Sequence, residues 1–269
     1  MFWNQPSKLL SSIPLTQLTS SMKTYDDSAV TIDMDTSPLM DDVPISRIIL
    51  IEIIQLLPCL IAWSLLNFLH DGLIALLVFQ LYIGTIPFIY SHIFNLELRA
   101  ILAAKAVRPR VQLKKGALIA TALLASMLIG FFVLWGVFPW IRDIVLSLNI
   151  PLKRSKAGVI MFCVVFSFIN PLLEEVFWRG FLPACFKKRE FWVTVHYALY
   201  HLFAIQYLMG NWSMAILGTV GIYVLGRIFE YLHKFDGIIA STIAHAAVDW
   251  VAVIVFLFLY VNYPDLYKH

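Results

Sequence analysis

Charge is what this chain has least of. Asp, Glu, Lys and Arg make up 14% of its 269 residues, where soluble domains carry about 25%. That is too little to give a fold of this size a polar exterior. Cysteine is nearly as scarce. Cys59, Cys163 and Cys185 all lie within or at the ends of apolar runs, which argues against a disulfide framework or a cysteine-based metal site. No repeat of fixed period is present, so the inverted symmetry common in secondary transporters is missing too. The net charge of +3 arises from basic residues spread between apolar runs, and no nucleic-acid partner is expected.

What remains is 60% hydrophobic and comes in runs of about 20 residues, the length that crosses a bilayer core of about 30 Å as helix. The expected fold is all-α, a polytopic transmembrane bundle of about seven spans. The runs fall near 47–69, 72–94, 116–140, 157–182, 191–208, 212–232 and 237–261. Between them stand His70-Asp71-Gly72, the basic stretch Arg99 to Lys115, the loop Arg142 to Lys156, Lys187-Lys188-Arg189, and Gly210-Asn211. Three regions follow: a polar tail over 1–46, N-terminal transmembrane helices over 47–150, and a core over 151–262. The tail holds Asp26, Asp27, Asp33, Asp35, Asp41 and Asp42 with no apolar period and is expected to be disordered. It lacks the basic-then-apolar build of a secretory signal, so the first run is read as a retained span.

Lys and Arg favour a cytoplasmic N-terminus and an outer C-terminus. One side then holds Arg47, the basic residues from Arg99 to Lys115, Lys187, Lys188, Arg189 and Lys234. The other keeps Arg142, Lys153, Arg154, Lys156 and Lys268. With that orientation Glu174, His201 and His245 lie on three different spans at one depth, roughly 12–15 Å below the cytoplasmic surface at about 1.5 Å per residue.

An ionisable side chain in hydrocarbon is costly and therefore a functional candidate. Glu175 and Arg179 are four apart and share a helix face, the spacing of an internal ion pair. Glu174 is turned about 100° from Glu175 and is free for another task. His245 and Asp249 are also four apart, so an imidazole and a carboxylate share one stripe, with Ala244, Ala246 and Ala247 small enough for close helix approach. Each histidine alone would read as a packing contact. Together with a glutamate they read as a general-base or metal constellation. His196 is the alternative imidazole on the fifth run, and His70, His92, His233 and His269 fall near run ends, where solvation is expected.

The run Asn170-Pro171-Leu172-Leu173-Glu174-Glu175-Val176-Phe177-Trp178-Arg179-Gly180, then Tyr197 to His201, then His245 with Asp249, resembles the CPBP family of intramembrane proteases. This group, also called ABI, includes CAAX prenyl endopeptidases and relatives linked to bacteriocin self-immunity. The first motif of the family is Glu-Glu-x-x-x-Arg, with Asn-Pro before it and Gly after. The second is Phe-x-x-x-His, with Tyr197 in place of phenylalanine here. The third is His-x-x-x-Asn or Asp, and Asp249 is the aspartate form. The glycine-marked stretch Gly221 to Gly226 also fits.

The resemblance implies an intramembrane endopeptidase cutting near the cytoplasmic side, near the C-terminus of prenylated substrates. It implies Glu174, Glu175, His201, His245 and Asp249 as catalytic residues, with Arg179 and Asn170 in support. Glu174 would activate water, His201 position it, and His245 donate to the oxyanion with Asp249 orienting the ring. The same side chains suit zinc, held by Glu174, His201 and His245, and the sequence leaves both versions open. Membrane lipids and a membrane-anchored substrate are the implied partners, in a bacterial plasma membrane or the endoplasmic reticulum. A non-catalytic adaptor or immunity-like protein that keeps the fold is the rival reading.

Overall fold

A computed structural model describes residues 44–94, 109–147, 156–185 and 190–263. The acidic tail over 1–43 and the basic residues Lys187, Lys188 and Arg189 lie outside the described residues. Eight helices occur among those described. In chain order they are α1 (Ile45–Leu69), α2 (Gly72–Ile93), α3 (Pro109–Val137) and α4 (Pro139–Leu146). Then come α5 (Lys156–Cys185), α6 (Glu190–Met209), α7 (Trp212–Asp236) and α8 (Ile238–Asn262).

Six of these are long and apolar enough to cross a membrane: α1, α2, α3, α5, α7 and α8. The protein is an integral membrane protein. The fifth expected span does form a helix, α6, but it does not reach that apolar level. His196, Tyr197, Tyr200, His201, Gln206 and Tyr207 dilute it, because much of this helix is turned into the bundle rather than toward lipid. The third run also differs from expectation. Its helix starts earlier, at Pro109, and ends at Val137, where Phe138 is extended and Pro139 opens the short α4. Pro suits that first helical position because its absent N–H would be unpaired there in any case.

Turn chemistry sets the helix boundaries. His70 ends α1 in the left-handed region at φ 52°. Asp71 then caps α2, its Oδ1 accepting from the N–H groups of Leu73 and Ile74, both at 3.1 Å. Gly210 turns at φ 60°, and Asn211 caps α7 in the same way through Ser213 and Met214. A side-chain oxygen on an early N–H satisfies one of the donors a helix start leaves unpaired. Gly237, at φ 93°, separates α7 from α8. The first turn of α8 is completed from another helix, since Gln112 Oε1 of α3 accepts from Ile239 N–H at 3.1 Å.

Helix α5 is the central element, packed on α2, α6 and α8. Its side chains Phe177, Trp178, Phe181 and Leu182 are fully buried against Ile51 and Ile54 of α1, Phe79 and Ile83 of α2, and Tyr197 and Tyr200 of α6. A second cluster joins Phe229 and Leu232 of α7 to Ala244 of α8, with Ile119 and Leu123 of α3 against it. Outward residues such as Leu118, Leu217 and Val261 are apolar and exposed, as lipid contact requires.

Helix α5 is not a regular α-helix. Two stretches, Val165–Ile169 and Glu175–Phe181, are wound as wider π turns. Asn170 N–H bonds back five residues to Val165 O, and Leu182 N–H to Phe177 O. Each wide turn ends two residues before a proline, Pro171 or Pro183. A proline inside a helix removes one ladder bond and crowds the carbonyl four residues back, and a widened turn relieves that crowding. Such turns also recur at functional sites.

Candidate active site

Five helices contribute to one buried polar cluster. From α5 come Asn170, Glu174, Glu175 and Arg179, from α8 His245 and Asp249, from α6 Tyr197 and Tyr200. Gln80 enters from α2 and Phe229 from α7. Asn170, Glu174, Glu175, Arg179, His245 and Asp249 are each less than 10% exposed. A buried charge is tolerable only when paired and hydrogen-bonded, and each of these groups has such a partner.

The two adjacent glutamates face different neighbours. Glu175 Oε1 lies 2.9 Å from His245 Nδ1 and 3.5 Å from Arg179 Nη1. Arg179 is enclosed further. Its guanidinium lies 3.9 Å from the centre of the Tyr197 ring and 5.6 Å from that of Phe229, and Nη2 donates to Gly226 O at 3.4 Å. Glu174 turns to the other edge of the imidazole. Its Oε2 is 3.7 Å from His245 Nε2, and its Oε1 accepts from the Tyr200 hydroxyl at 2.5 Å. Glu174 Oε2 has no hydrogen-bond partner among the described residues.

The His245 ring is held between these groups, stacked on Phe229 at 4.6 Å between centroids. With its Nδ1–H donated to Glu175, a neutral ring presents Nε2 as an acceptor. That nitrogen faces Glu174 Oε2, Asp249 Oδ1 at 3.8 Å and the Tyr197 hydroxyl at 3.5 Å. The hydrogen bond fixing the tautomer thus comes from Glu175 rather than from Asp249, contrary to the sequence reading. Asp249 sits farther off because its own Oδ2 accepts from Asn170 Nδ2 at 2.9 Å. Asn170 Oδ1 in turn accepts from Gln80 Nε2.

The structure therefore brings together Asn170, Glu174, Glu175, Arg179, His245 and Asp249. His201 stands apart from that contact set. Its Nδ1 is on Tyr197 O at 2.9 Å, within its own helix, and its ring lies against Tyr200 at 3.9 Å. The group that reaches Glu174 from α6 is the Tyr200 hydroxyl, one residue earlier in the chain. His196 faces elsewhere, toward Glu52 of α1 at 3.9 Å. His233, expected to be solvated, is buried, and its Nδ1 has no hydrogen-bond partner among the described residues. The end of α7 packs on α8 there, so nearness to a helix end does not bring water.

Among the described residues, no three His, Cys, Asp or Glu side chains are disposed to hold a metal ion. Of the expected zinc donors, Glu174 and His245 face each other, whereas His201 donates Nδ1–H to Tyr197 O, which leaves Nε2 as its ligating nitrogen.

Sequence reading missed Tyr200, Gln80 and Phe229. Tyr200 is locked among Trp178, Phe79 and His201 by stacked or tilted ring contacts, and it looked like one more apolar-run aromatic. Gln80 left a trace, being an amide within the apolar run over 72–94.

Fold and site together define an integral membrane protein organised around a buried carboxylate–imidazole centre. Residues 156–251, from α5 into α8, match the family model described as Type II CAAX prenyl endopeptidase Rce1-like. That segment, little more than a third of the chain, is similar to this CPBP group of CAAX-type intramembrane proteases. No curated protein and no solved structure matches it.

Proposed function

We propose that this protein is a glutamate-dependent intramembrane endopeptidase that hydrolyses a peptide bond near the C-terminus of a membrane-anchored, prenylated substrate. One observation carries the reading: Glu174 Oε2 and His245 Nε2 face each other at 3.7 Å, inside the bundle, on the segment that matches the protease family.

The chemistry needs a base for water, a charge-compensating donor for the oxyanion, and a proton for the leaving amine. Glu174 takes a proton from water through Oε2 while Tyr200 holds Oε1. The hydroxide adds to the substrate carbonyl, and negative charge collects on its oxygen. His245 serves that oxygen as a donor only when both ring nitrogens carry protons, because its neutral form keeps the proton on Nδ1 for Glu175. The Glu175–Arg179 pair favours that protonated form by placing a carboxylate on Nδ1. The C–N bond then breaks, and the proton held by Glu174 passes to the amine nitrogen. Asp249 lies beside Nε2 as a second negative neighbour. Arg47 on α1, Arg110, Lys114 and Lys115 on α3 and Lys234 on α7 gather basic charge on one side and argue for a cytoplasmic opening there.

The test is cleavage of farnesylated and unmodified C-terminal peptides by the purified full-length protein, with products mapped by mass. Glu174→Gln and His245→Ala should each lower kcat at least about 100-fold, the range general-base loss produces, while the protein stays membrane-inserted. A chelator should leave the wild-type rate unchanged. Full activity in Glu174→Gln removes the assignment, and loss of activity to chelator with rescue by zinc replaces it with a metal mechanism.

A further inference from the structure

We propose that Gln80 is a positioning residue for the active site, acting through Asn170 on Asp249. It stands on α2, outside the segment that matches the family. The inference rests on the hydrolase reading above and adds a residue to it.

An ionised Asp249 can only accept hydrogen bonds. Asn170 must therefore turn its NH2 group toward Asp249 Oδ2, and it does so at 2.9 Å. That choice leaves Asn170 Oδ1 facing the opposite way, where only a donor satisfies it. Gln80 Nε2 is that donor. The Asn170 amide is thus held from both ends, and its orientation has a single solution. Gln80 is 5% exposed, Asn170 4% and Asp249 7%, so little water competes for these bonds. At the far end Asp249 Oδ1 faces His245 Nε2 at 3.8 Å, the ring nitrogen that also faces Glu174. A released Asn170 would free Asp249 to swing its negative charge relative to that nitrogen.

Packing alone does not account for an amide here. Gln80 Oε1 is buried without a hydrogen-bond partner among the described residues, a cost that an apolar side chain of similar volume would not incur. The neighbours Phe79 and Ile83 already supply the apolar contact of α2 with the core. The amide is explained by its nitrogen.

The test is a double-mutant cycle on the full-length protein with a farnesylated C-terminal peptide as substrate. Gln80→Met keeps the volume and removes the donor. It should lower kcat about tenfold, the loss expected from one hydrogen bond to the catalytic framework, with KM unchanged. In an Asp249→Asn background the side chain at 249 offers Asn170 either a donor or an acceptor. The orientation set by Gln80 then loses its meaning, and adding Gln80→Met should cost less than about twofold. An equal loss in both backgrounds is the mark of a packing role and overturns the proposal, as does wild-type kcat in Gln80→Met. If Glu174→Gln is inactive while Gln80→Met is normal, the inference fails and the hydrolase reading stands. The same cycle read by thermal unfolding in detergent needs no substrate. Non-additive shifts are expected there, and additive shifts overturn the relay even if no peptide is cleaved.

Discussion

Glu174 and Glu175 are chain neighbours with opposite duties, and substitution should separate them. Glu175 compensates the enclosed guanidinium of Arg179 at 3.5 Å. Glu175→Gln keeps the shape but leaves that cation buried without its partner, a change worth about 3–5 kcal/mol of stability. Glu174→Gln leaves the Arg179–Glu175 pair intact, and its amide oxygen can still accept from Tyr200. Its unfolding should stay within about 1 kcal/mol of wild type while cleavage is lost. Thermal unfolding beside peptide cleavage checks both, and a Glu175→Gln protein as stable as wild type would contradict the pairing. The charged members of this cluster were legible in the sequence because a carboxylate in an apolar run is conspicuous. Tyr200 and Gln80 were not, because their importance lies in which neighbour their polar end meets. The choice between Tyr200 and His201 depends on a turn of about 100° on α6, which spacing along one chain does not fix.

At the scale of helices, α6 and α7 approach closely beside the site, and a glycine permits it. A Cβ on Gly226 would lie 2.9 Å from Tyr197 Cδ1 and 3.1 Å from Thr194 Cγ2. Neither neighbour is free to yield. Tyr197 carries the Arg179 guanidinium on its face, and Thr194 Oγ1 donates to Glu230 at 2.7 Å. Gly226→Ala should therefore cost about 1–3 kcal/mol, the range for overpacking a filled interior, and should lower cleavage by displacing Tyr197. Gly221→Ala is the control, since nothing lies within 4 Å of its Cβ position. Equal melting temperatures for the two variants would refute the close packing. The glycine-marked stretch was visible in the sequence, but which glycine carries the contact was not. The wide turns of α5 were hidden in a similar way. Pro171 and Pro183 signal trouble in a helical ladder, yet they do not say how the ladder accommodates it. Positions upstream of each widened turn are consequently out of phase with a regular helical wheel.

For the molecule as a whole, the family-matched segment is not a self-sufficient unit. Residues 156–251 supply the carboxylates and the imidazole, but α1 and α2 cover the Phe177–Trp178–Phe181 side of α5. A chain beginning at residue 156 would expose that face and lose Gln80. Such a truncation should fail to give a protease-resistant, cleavage-competent protein, and limited proteolysis in detergent with the peptide assay checks it. A folded, active fragment would show that α1 and α2 are dispensable. The overall architecture was largely legible because hydrocarbon demands long apolar helices. Helix α6 is the least apolar of the expected spans, and the cause is the same in reverse. A helix shielded by its neighbours need not satisfy lipid, so its composition follows the interior it faces.

The pairing of Arg179 with Glu175 has a bearing on biogenesis. Both ions belong to a single helix, four residues apart, so they neutralise one another before any other helix has docked. The translocation machinery would meet a compact dipole in place of an isolated cation, and α5 could partition into the bilayer early. Tyr197 and Phe229 would close over it as assembly ends.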